Sequence, residues 1–342
     1  MTSVSTATEV DWSQPVAALL RIGTAQAHEK AEHSEGAAWL TRGELDREEY
    51  VRFLMMLYHV YETFERALDR HATHPVLAPT YNPTLFSRTP SLSADIAYLL
   101  ETPESSWQSH PIHETLVSSP PEPFADYTAR LQELADDESQ VPRLLAHAYV
   151  RYLGDLSGGQ FIKRRLVKAY GLEDGAGVSF YEFKQLGGSG SSTMGDMKKI
   201  KEWYRAGMNA GVGDDVALKV AILDEANVAF ELNSGLFTTL KPPSEPPMPS
   251  SPMPDIMLGE PLTPTTDSPT PKELTPEPAV TKVVYEAPSQ EGTFPVASVI
   301  AFILALCLSH FVLVLGGFTG DKGYGKLEAV IHWFTDLFSP SA

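Results

Sequence analysis

The chain has 342 residues, with 44 Asp and Glu against 26 Lys and Arg, and a formal net charge of −18. This acidity argues against nucleic acid as a general partner, because the phosphate backbone binds cationic surfaces. Cys307 is the only cysteine, which excludes an intrachain disulfide and a four-cysteine zinc site and is typical of a reducing compartment. The polar start, MTSVSTATEVDW, lacks the basic and apolar parts of a secretory signal peptide.

A helical period dominates the chain as far as residue 241. The second helical segment shows it best, because its apolar residues recur at three- and four-residue steps and mark one face. These residues are Tyr50, Phe53, Leu54, Leu57, Tyr61, Phe64 and Leu68. Other helices are predicted at about 15–33, 91–101, 124–136, 142–170, 193–209 and 213–240. The sequence therefore predicts an all-α, multi-helical domain over residues 1–241.

Two stretches interrupt this pattern. Residues 102–123 are rich in Pro, Ser and Glu, which predicts a surface loop. Residues 185–196 contain Gly-Gly-Ser-Gly-Ser-Ser, which predicts a flexible connection.

The amino-acid composition changes twice after residue 241. Fourteen of the 52 residues in 242–293 are Pro, and such a linker buries too little apolar surface to offset its ordering entropy. Residues 294–318 contain no Asp, Glu, Lys or Arg, and roughly 20 apolar residues suffice to cross a bilayer. We expect a C-terminal transmembrane helix there, followed by a short tail at 319–342.

Three glycines stand in a segment that is otherwise helical, Leu145 to Gln160. Each glycine inside a helix costs roughly 1 kcal/mol relative to Ala, so Gly154, Gly158 and Gly159 together cost about 3 kcal/mol. A helix end or close helix packing would explain them. The alternative is a kinked helix whose bare backbone contacts a flat ligand, with the Asp155 carboxylate beside the bare patch.

A histidine and a cation share a helix face near the N-terminus. His28 follows Arg21 by seven residues, so both side chains point the same way, and Glu32 follows His28 by one turn. His59 and His147 also lie in predicted helices, and periodicity alone does not choose among the three histidines as a ligand.

A cationic stripe lies on one face of the helix predicted at 193–209. Its members are Lys198, Lys201 and Arg205. A solvated basic face explains such a stripe in most proteins, but in a chain this acidic it favours an anion-binding site.

Together these segments resemble the haem oxygenase family from about residue 20 to residue 240. The most specific match is Tyr152-Leu-Gly-Asp-Leu-Ser-Gly-Gly-Gln160, which is similar to the family's distal-helix signature. The resemblance is supported by further segments, which are Ala27-His28 with Glu32, Leu57–Tyr61, Ala146–Tyr149 and Lys201–Asn209. The Pro-rich linker and C-terminal anchor resemble those of membrane-bound eukaryotic members.

The resemblance implies a role for each candidate residue. His28 matches the axial ligand of the haem iron, and Gly154 and Gly158 match the glycines that pack on the distal haem face. Asp155 matches the carboxylate that organises distal water, with Tyr61 and Arg151 in its hydrogen-bond network. The residues that match propionate contacts are Arg21, Tyr149, Lys201 and Arg205. Gly207 departs from the family, because a basic residue is common at that position.

The resemblance further implies an enzyme that takes haem b as cofactor and substrate. It would open the ring to biliverdin with molecular oxygen and release carbon monoxide and iron. No glycine-rich dinucleotide motif is present, so electrons must come from a partner, and the resemblance implies that this partner is NADPH–cytochrome P450 reductase. The predicted location is the endoplasmic reticulum membrane, with the domain tail-anchored and facing the cytosol. The alternatives are a membrane-tethered haem-binding or sensing protein without turnover, and a scaffold without haem.

Overall fold

The computed structural model describes residues 8–173, 175–188, 190–244 and 284–285. The predicted transmembrane helix at 294–318, the tail at 319–342 and most of the linker at 242–293 lie outside these residues. None of the helices in the described part is long and apolar enough to cross a membrane.

Within the described ranges the secondary structure is helical apart from one small strand pair and an isolated bridge between Lys184 and Ser191. The helices are α1 (Val16–Gly23), α2 (Ala25–Glu32), α3 (Glu35–Arg42), α4 (Arg47–Arg70), α5 (Pro83–Phe86), α6 (Thr89–Leu99), α7 (Pro111–Ser118), α8 (Glu122–Asp136), α9 (Leu144–Ser157), α10 (Gly159–Tyr170), α11 (Met194–Val212) and α12 (Val216–Thr238). Short 3-10 turns lie at Ala78–Thr80, Trp107–Ser109, Val141–Arg143 and Ser179–Tyr181. Strands β1 (Thr8–Glu9) and β2 (Val284–Tyr285) pair antiparallel.

The core is organised around α4, the longest helix described. Six of the seven residues that define its predicted apolar face are buried, and only Leu68 is half-buried. Full burial of a large apolar side chain stabilises the fold by roughly 1.5–3 kcal/mol, so this face is a main source of stability. Helices α6 and α8 pack along α4, and α12 packs against α8 and α9. The all-α prediction is confirmed for this domain.

Two predicted helices are each divided in the structure. The segment 15–33 breaks at Thr24, whose hydroxyl donates to the Leu20 carbonyl at 2.7 Å. A threonine that bonds back to this carbonyl bends the helix. The segment 142–170 breaks at Gly158, where φ is −62° and ψ is −32°, so the backbone stays near helical values at the break.

The prediction of a loop at 102–123 is wrong in part, because α7 lies inside it. Pro111 occupies the first turn of α7, where a missing N–H costs nothing, and His110 Nδ1 accepts from the Ile112 N–H at 3.3 Å. Trp107 is buried and donates to Ser93 Oγ at 3.0 Å. The prolines therefore start a packed helix here.

Candidate functional site

A wide cavity opens between the N-terminal helices α1 to α3, the glycine-bearing α9 and the C-terminal helices α11 and α12. It encloses about 1380 Å³ of empty space, including the open mouth. Eight of the ten candidate site residues line it: Arg21, His28, Tyr149, Arg151, Gly154, Asp155, Gly158 and Arg205.

His28 projects from α2 into this cavity with an unused nitrogen. Its Nε2 atom is buried and has no hydrogen-bond partner among the residues that the structure describes. A buried nitrogen left unpaired costs roughly 1–3 kcal/mol, so its retention points to a ligand that the nitrogen binds. Phe230 contacts the ring edge-on, with the centroids 5.8 Å apart, and fixes the ring plane.

The surroundings of His28 favour the neutral form of its imidazole. Burial, followed by the charge of His33, lowers the pKa of His28 below its ordinary value. Its Nδ1 atom lies 3.6 Å from a carboxylate oxygen of Glu32, one turn further along the chain. A carboxylate on that side favours the proton on Nδ1 and leaves a lone pair on Nε2, which is the form that binds a metal.

The wall formed by α9 has an open backbone surface. A Cβ atom added at Gly154 would meet no other atom within 4 Å, so this part of the helix faces the space of the cavity. At Gly159 the same addition would come within 3.0 Å of the Tyr181 ring, which explains that glycine by packing. The sequence left two explanations open for these glycines. Contact of bare backbone with the cavity applies to Gly154, and close packing applies to Gly159.

Asp155 lies beside this surface at the centre of a polar network. Its Oδ2 accepts a hydrogen bond from the Tyr61 hydroxyl of α4. Arg151, one turn earlier on α9, donates from Nε to the Tyr61 oxygen at 3.0 Å and places Nη2 3.7 Å from Asp155 Oδ1. The three predicted members of the network are thus in contact.

The network continues to two residues that sequence reasoning missed. Arg151 Nη1 donates to Asn233 Oδ1 at 2.5 Å, and Asn233 Nδ2 donates to the Tyr127 hydroxyl at 3.1 Å. Asn233 is buried and lines the cavity. The available signal was an amide at a helical spacing from the buried apolar residues Ala226, Ala229 and Leu236 of α12.

Burial dominates the electrostatics of this network. It raises the pKa of Asp155, although the charge of Arg151 and the hydrogen bond from Tyr61 act in the opposite direction. Burial also raises the pKa of Tyr61 well above its ordinary value, so the phenol keeps its proton. The carboxyl of Asp155 therefore holds a proton more strongly than an exposed Asp does.

Cations gather where α1 and α11 meet the cavity. Arg21 and Arg205 line it together with Tyr149, whose pKa is raised by burial against the opposing effects of Thr24 and both arginines. Lys201 lies one turn before Arg205 and donates to Ser157 Oγ of the cavity wall at 3.5 Å. Lys198 is exposed. The rim therefore presents positive charge to an anionic group.

The unusual glycine of α11 has a packing explanation. A Cβ added at Gly207 would lie 2.6 Å from the backbone oxygen of Pro79, a distance that real Cβ atoms do not show. A basic side chain is excluded there by the close approach of residues 79 and 80.

The other two candidate histidines have different partners. His59 Nε2 lies 2.8 Å from His113 Nε2, and His147 Nε2 lies 3.0 Å from a Glu225 carboxylate oxygen. Neither histidine lines the cavity formed by the described residues. Of the three alternatives, His28 is the one that the structure places at the site.

The chain matches the family model described as heme oxygenase over residues 14–239. It is 35% identical over 214 residues to heme oxygenase 2 of Synechocystis sp., covering 63% of this chain and 78% of that one. With human heme oxygenase 1 it shares 32% identity over 229 residues, which are 67% of this chain and 72% of the human one.

Comparison with a solved structure indicates the same family. A crystal structure of heme oxygenase-2 from Synechocystis, in complex with heme and NO, aligns with a TM-score of 0.57 and 34% identity over 66% of this chain and 84% of that one. The chain therefore belongs to the haem oxygenase family, whose members take haem as both cofactor and substrate. The unpaired Nε2 atom, the bare wall of α9 and the cationic rim fit that group.

Proposed function

We propose that this enzyme opens the haem ring to biliverdin and releases carbon monoxide and iron. It would use molecular oxygen and electrons from a reductase partner, of the NADPH–cytochrome P450 reductase type. The observation that carries the proposal is the Asp155 carboxyl group, which lines the same cavity as the unpaired nitrogen of His28. A protein that merely bound haem would gain nothing from a buried carboxylate at this position.

His28 would hold the iron of haem through Nε2, and the Glu32 carboxylate would keep the imidazole in the required tautomer. When bound, haem supplies both the iron that activates oxygen and the ring carbon that is oxidised. Because His28 and α9 line the same cavity, a flat group held by His28 would contact the backbone of α9.

On that side the chain's own residues would control protons and access. Gly154 and Gly158 let the α9 backbone approach a flat ring closely. Asp155 would hold an ordered water by a hydrogen bond and pass a proton through it. Tyr61 and Arg151 fix the carboxylate, since both contact it and Arg151 is held in turn by Asn233.

The cationic rim would orient the substrate. Arg21, Arg205 and Lys201, with the Tyr149 hydroxyl, would bind the two propionates by charge-assisted contacts of roughly 1.5–3 kcal/mol each. Because haem carries both propionates on one edge of its ring, binding them would fix the orientation of the ring in the cavity and so would determine which ring carbon is oxidised.

A direct assay tests this function. The full chain in detergent is incubated with haemin, oxygen and a reductase system, and the products are followed by absorbance and by gas analysis for carbon monoxide. We expect biliverdin and carbon monoxide in equal amounts. Stable haem binding without ring opening would instead support the haem-binding or sensing alternative.

We further propose that residues 294–318 anchor the chain in the endoplasmic reticulum membrane, with the catalytic domain facing the cytosol. Support comes from the sequence, because this run has no charged residues and follows a Pro-rich linker. A reductase in the same membrane would then meet the domain at the membrane surface, within reach of the linker at 242–293.

A further inference from the structure

One hydrogen bond joins the two helices that carry the arginines of the rim. The backbone N–H of Ala17, in the first turn of α1, donates to Oδ1 of Asn209 on α11 at 3.0 Å. First-turn N–H groups have no partner within their own helix. Asn209 therefore caps α1 from a helix that lies 192 positions away in the sequence.

The spacing of the residues connects this bond to the cations. Arg21 follows Ala17 by four residues on α1, and Asn209 follows Arg205 by four residues on α11. Arg21 thus lies one helical turn, about 5.4 Å along the helix axis, from the donor residue Ala17. Arg205 lies one turn from the acceptor residue Asn209. Ala17, Arg21 and Arg205 all line the cavity. A shift of α1 relative to α11 would change the separation of the two guanidinium groups.

The side of α11 opposite Asn209 packs against the backbone of residues 76–79. A Cβ added at Gly207 would lie 2.6 Å from the Pro79 oxygen, and one at Gly211 would lie 2.4 Å from the Val76 oxygen. These two glycines let α11 pack directly on residues 76–79, and the tight fit leaves it little room to move. Asn209 therefore ties α1 to a helix whose own position is already fixed.

We propose that Asn209 is a positioning residue for the substrate. By capping α1 it sets the distance between Arg21 and Arg205, and so determines the orientation of haem in its own plane. The proposal rests on the proposed function, in which these arginines bind the propionates.

The test compares Asn209→Leu, which removes the acceptor at similar volume, with Asn209→Asp, which keeps an acceptor and suits a helix N-terminus. Haem orientation is read from proton NMR of the cyanide complex of the ferric full chain, haem affinity from absorbance titration, and apoprotein stability from thermal unfolding. We expect two haem orientations and about a two- to tenfold loss of affinity in Asn209→Leu. Asn209→Asp should show the parent orientation and affinity.

Asn227→Leu is the matched control, because within the described part of the chain the Asn227 side chain donates to the Leu223 carbonyl of its own helix α12, at 3.1 Å. It should keep one haem orientation even if it unfolds at a lower temperature. A single parent orientation with parent affinity in Asn209→Leu would overturn the proposal, and so would an equal mixture in Asn227→Leu.

The Arg205→Ala variant distinguishes a failure of the Asn209 proposal from a failure of the propionate assignment. If Arg205→Ala mixes the orientations and Asn209→Leu does not, the positioning role of Asn209 is wrong and the propionate assignment stands. If neither variant changes orientation or affinity, the propionate assignment fails as well.

Discussion

Replacement of Asp155 by Asn tests the centre of the proposed chemistry. The substitution keeps the shape of the side chain and an oxygen that accepts from Tyr61, but removes the negative charge and the exchangeable proton. We expect haem to bind with unchanged affinity, because Asp155 takes no part in holding the iron or the propionates. Biliverdin formation should be lost, and peroxidase activity towards guaiacol with hydrogen peroxide should appear.

The expected effect of Asp155→Asn on stability is much smaller than its expected effect on turnover. A hydrogen bond to a charged group contributes roughly 1.5–3 kcal/mol and a neutral one about 0.5–1.5 kcal/mol, so the Tyr61 bond weakens by about 1 kcal/mol. That lowers the unfolding temperature of a domain of this size by about 2–4 °C. Arg151 retains its contacts with Tyr61 and Asn233. Loss of a positioned proton donor, in contrast, slows turnover by about 10²–10⁴-fold.

Glu225→Gln provides the matched control. Glu225 is also a buried carboxylate on an inner helix, held by Arg130 Nη2 at 2.6 Å and by His147, and it is not among the cavity-lining residues described. We expect this variant to unfold at a lower temperature while its folded form makes biliverdin at the parent rate. Biliverdin formation at the parent rate by Asp155→Asn would refute the role of the carboxylate.

Four other outcomes follow from the site and the sequence. His28→Ala should lose the imidazole-ligated absorbance spectrum and turnover, and added imidazole should restore part of both; an unchanged spectrum would exclude His28 as the ligand. Because burial lowers the pKa of His28, its neutral form persists below the ordinary value of about 6.5. Haem affinity, titrated from pH 8 to pH 5, should therefore stay constant down to about pH 6.5 and fall only at lower pH; a fall that begins above pH 7 would contradict this. Lys201→Ala combined with Arg205→Ala should weaken haem binding and yield mixed biliverdin isomers on chromatography, whereas a single isomer at parent affinity would remove both residues from the site. Protease added to intact microsomes should cut the linker at 242–293 and release an active soluble domain, whereas full protection would place the domain in the lumen.

The apolar period predicted α4 well and predicted the breaks between helices poorly. Helix α4 buries one continuous face, so its spacing alone identifies it. The break at Thr24 depends on a single hydroxyl that bonds back to Leu20, and many helices carry threonine without breaking. Helix α7 was missed because prolines were interpreted as loop residues, whereas Pro111 lies in a first turn that tolerates it.

The sequence predicted the residue types of the site better than their connections. Family resemblance selected His28, and the structure supplies a physical reason, since His28 lines the cavity with an unpaired Nε2 atom, whereas neither His59 nor His147 is among the lining residues described. Asn233 was missed because its partners Arg151 and Tyr127 lie 82 and 106 positions away. Such contacts depend on the packing of α8, α9 and α12, which no local pattern encodes.

The features that define the cavity share one energetic property, because each lowers the stability of the unliganded fold. Gly154 costs its helix roughly 1 kcal/mol, and the buried, unpaired Nε2 of His28 costs about 1–3 kcal/mol. Burial also opposes ionisation of Asp155, as its raised pKa indicates. These residues come from two helices far apart in the sequence, yet they line one cavity. Selection for stability would remove all three, whereas a ligand that coordinates His28 and covers Gly154 recovers the lost energy on binding. The convergence of these costs is therefore evidence for a haem site that is independent of any sequence comparison.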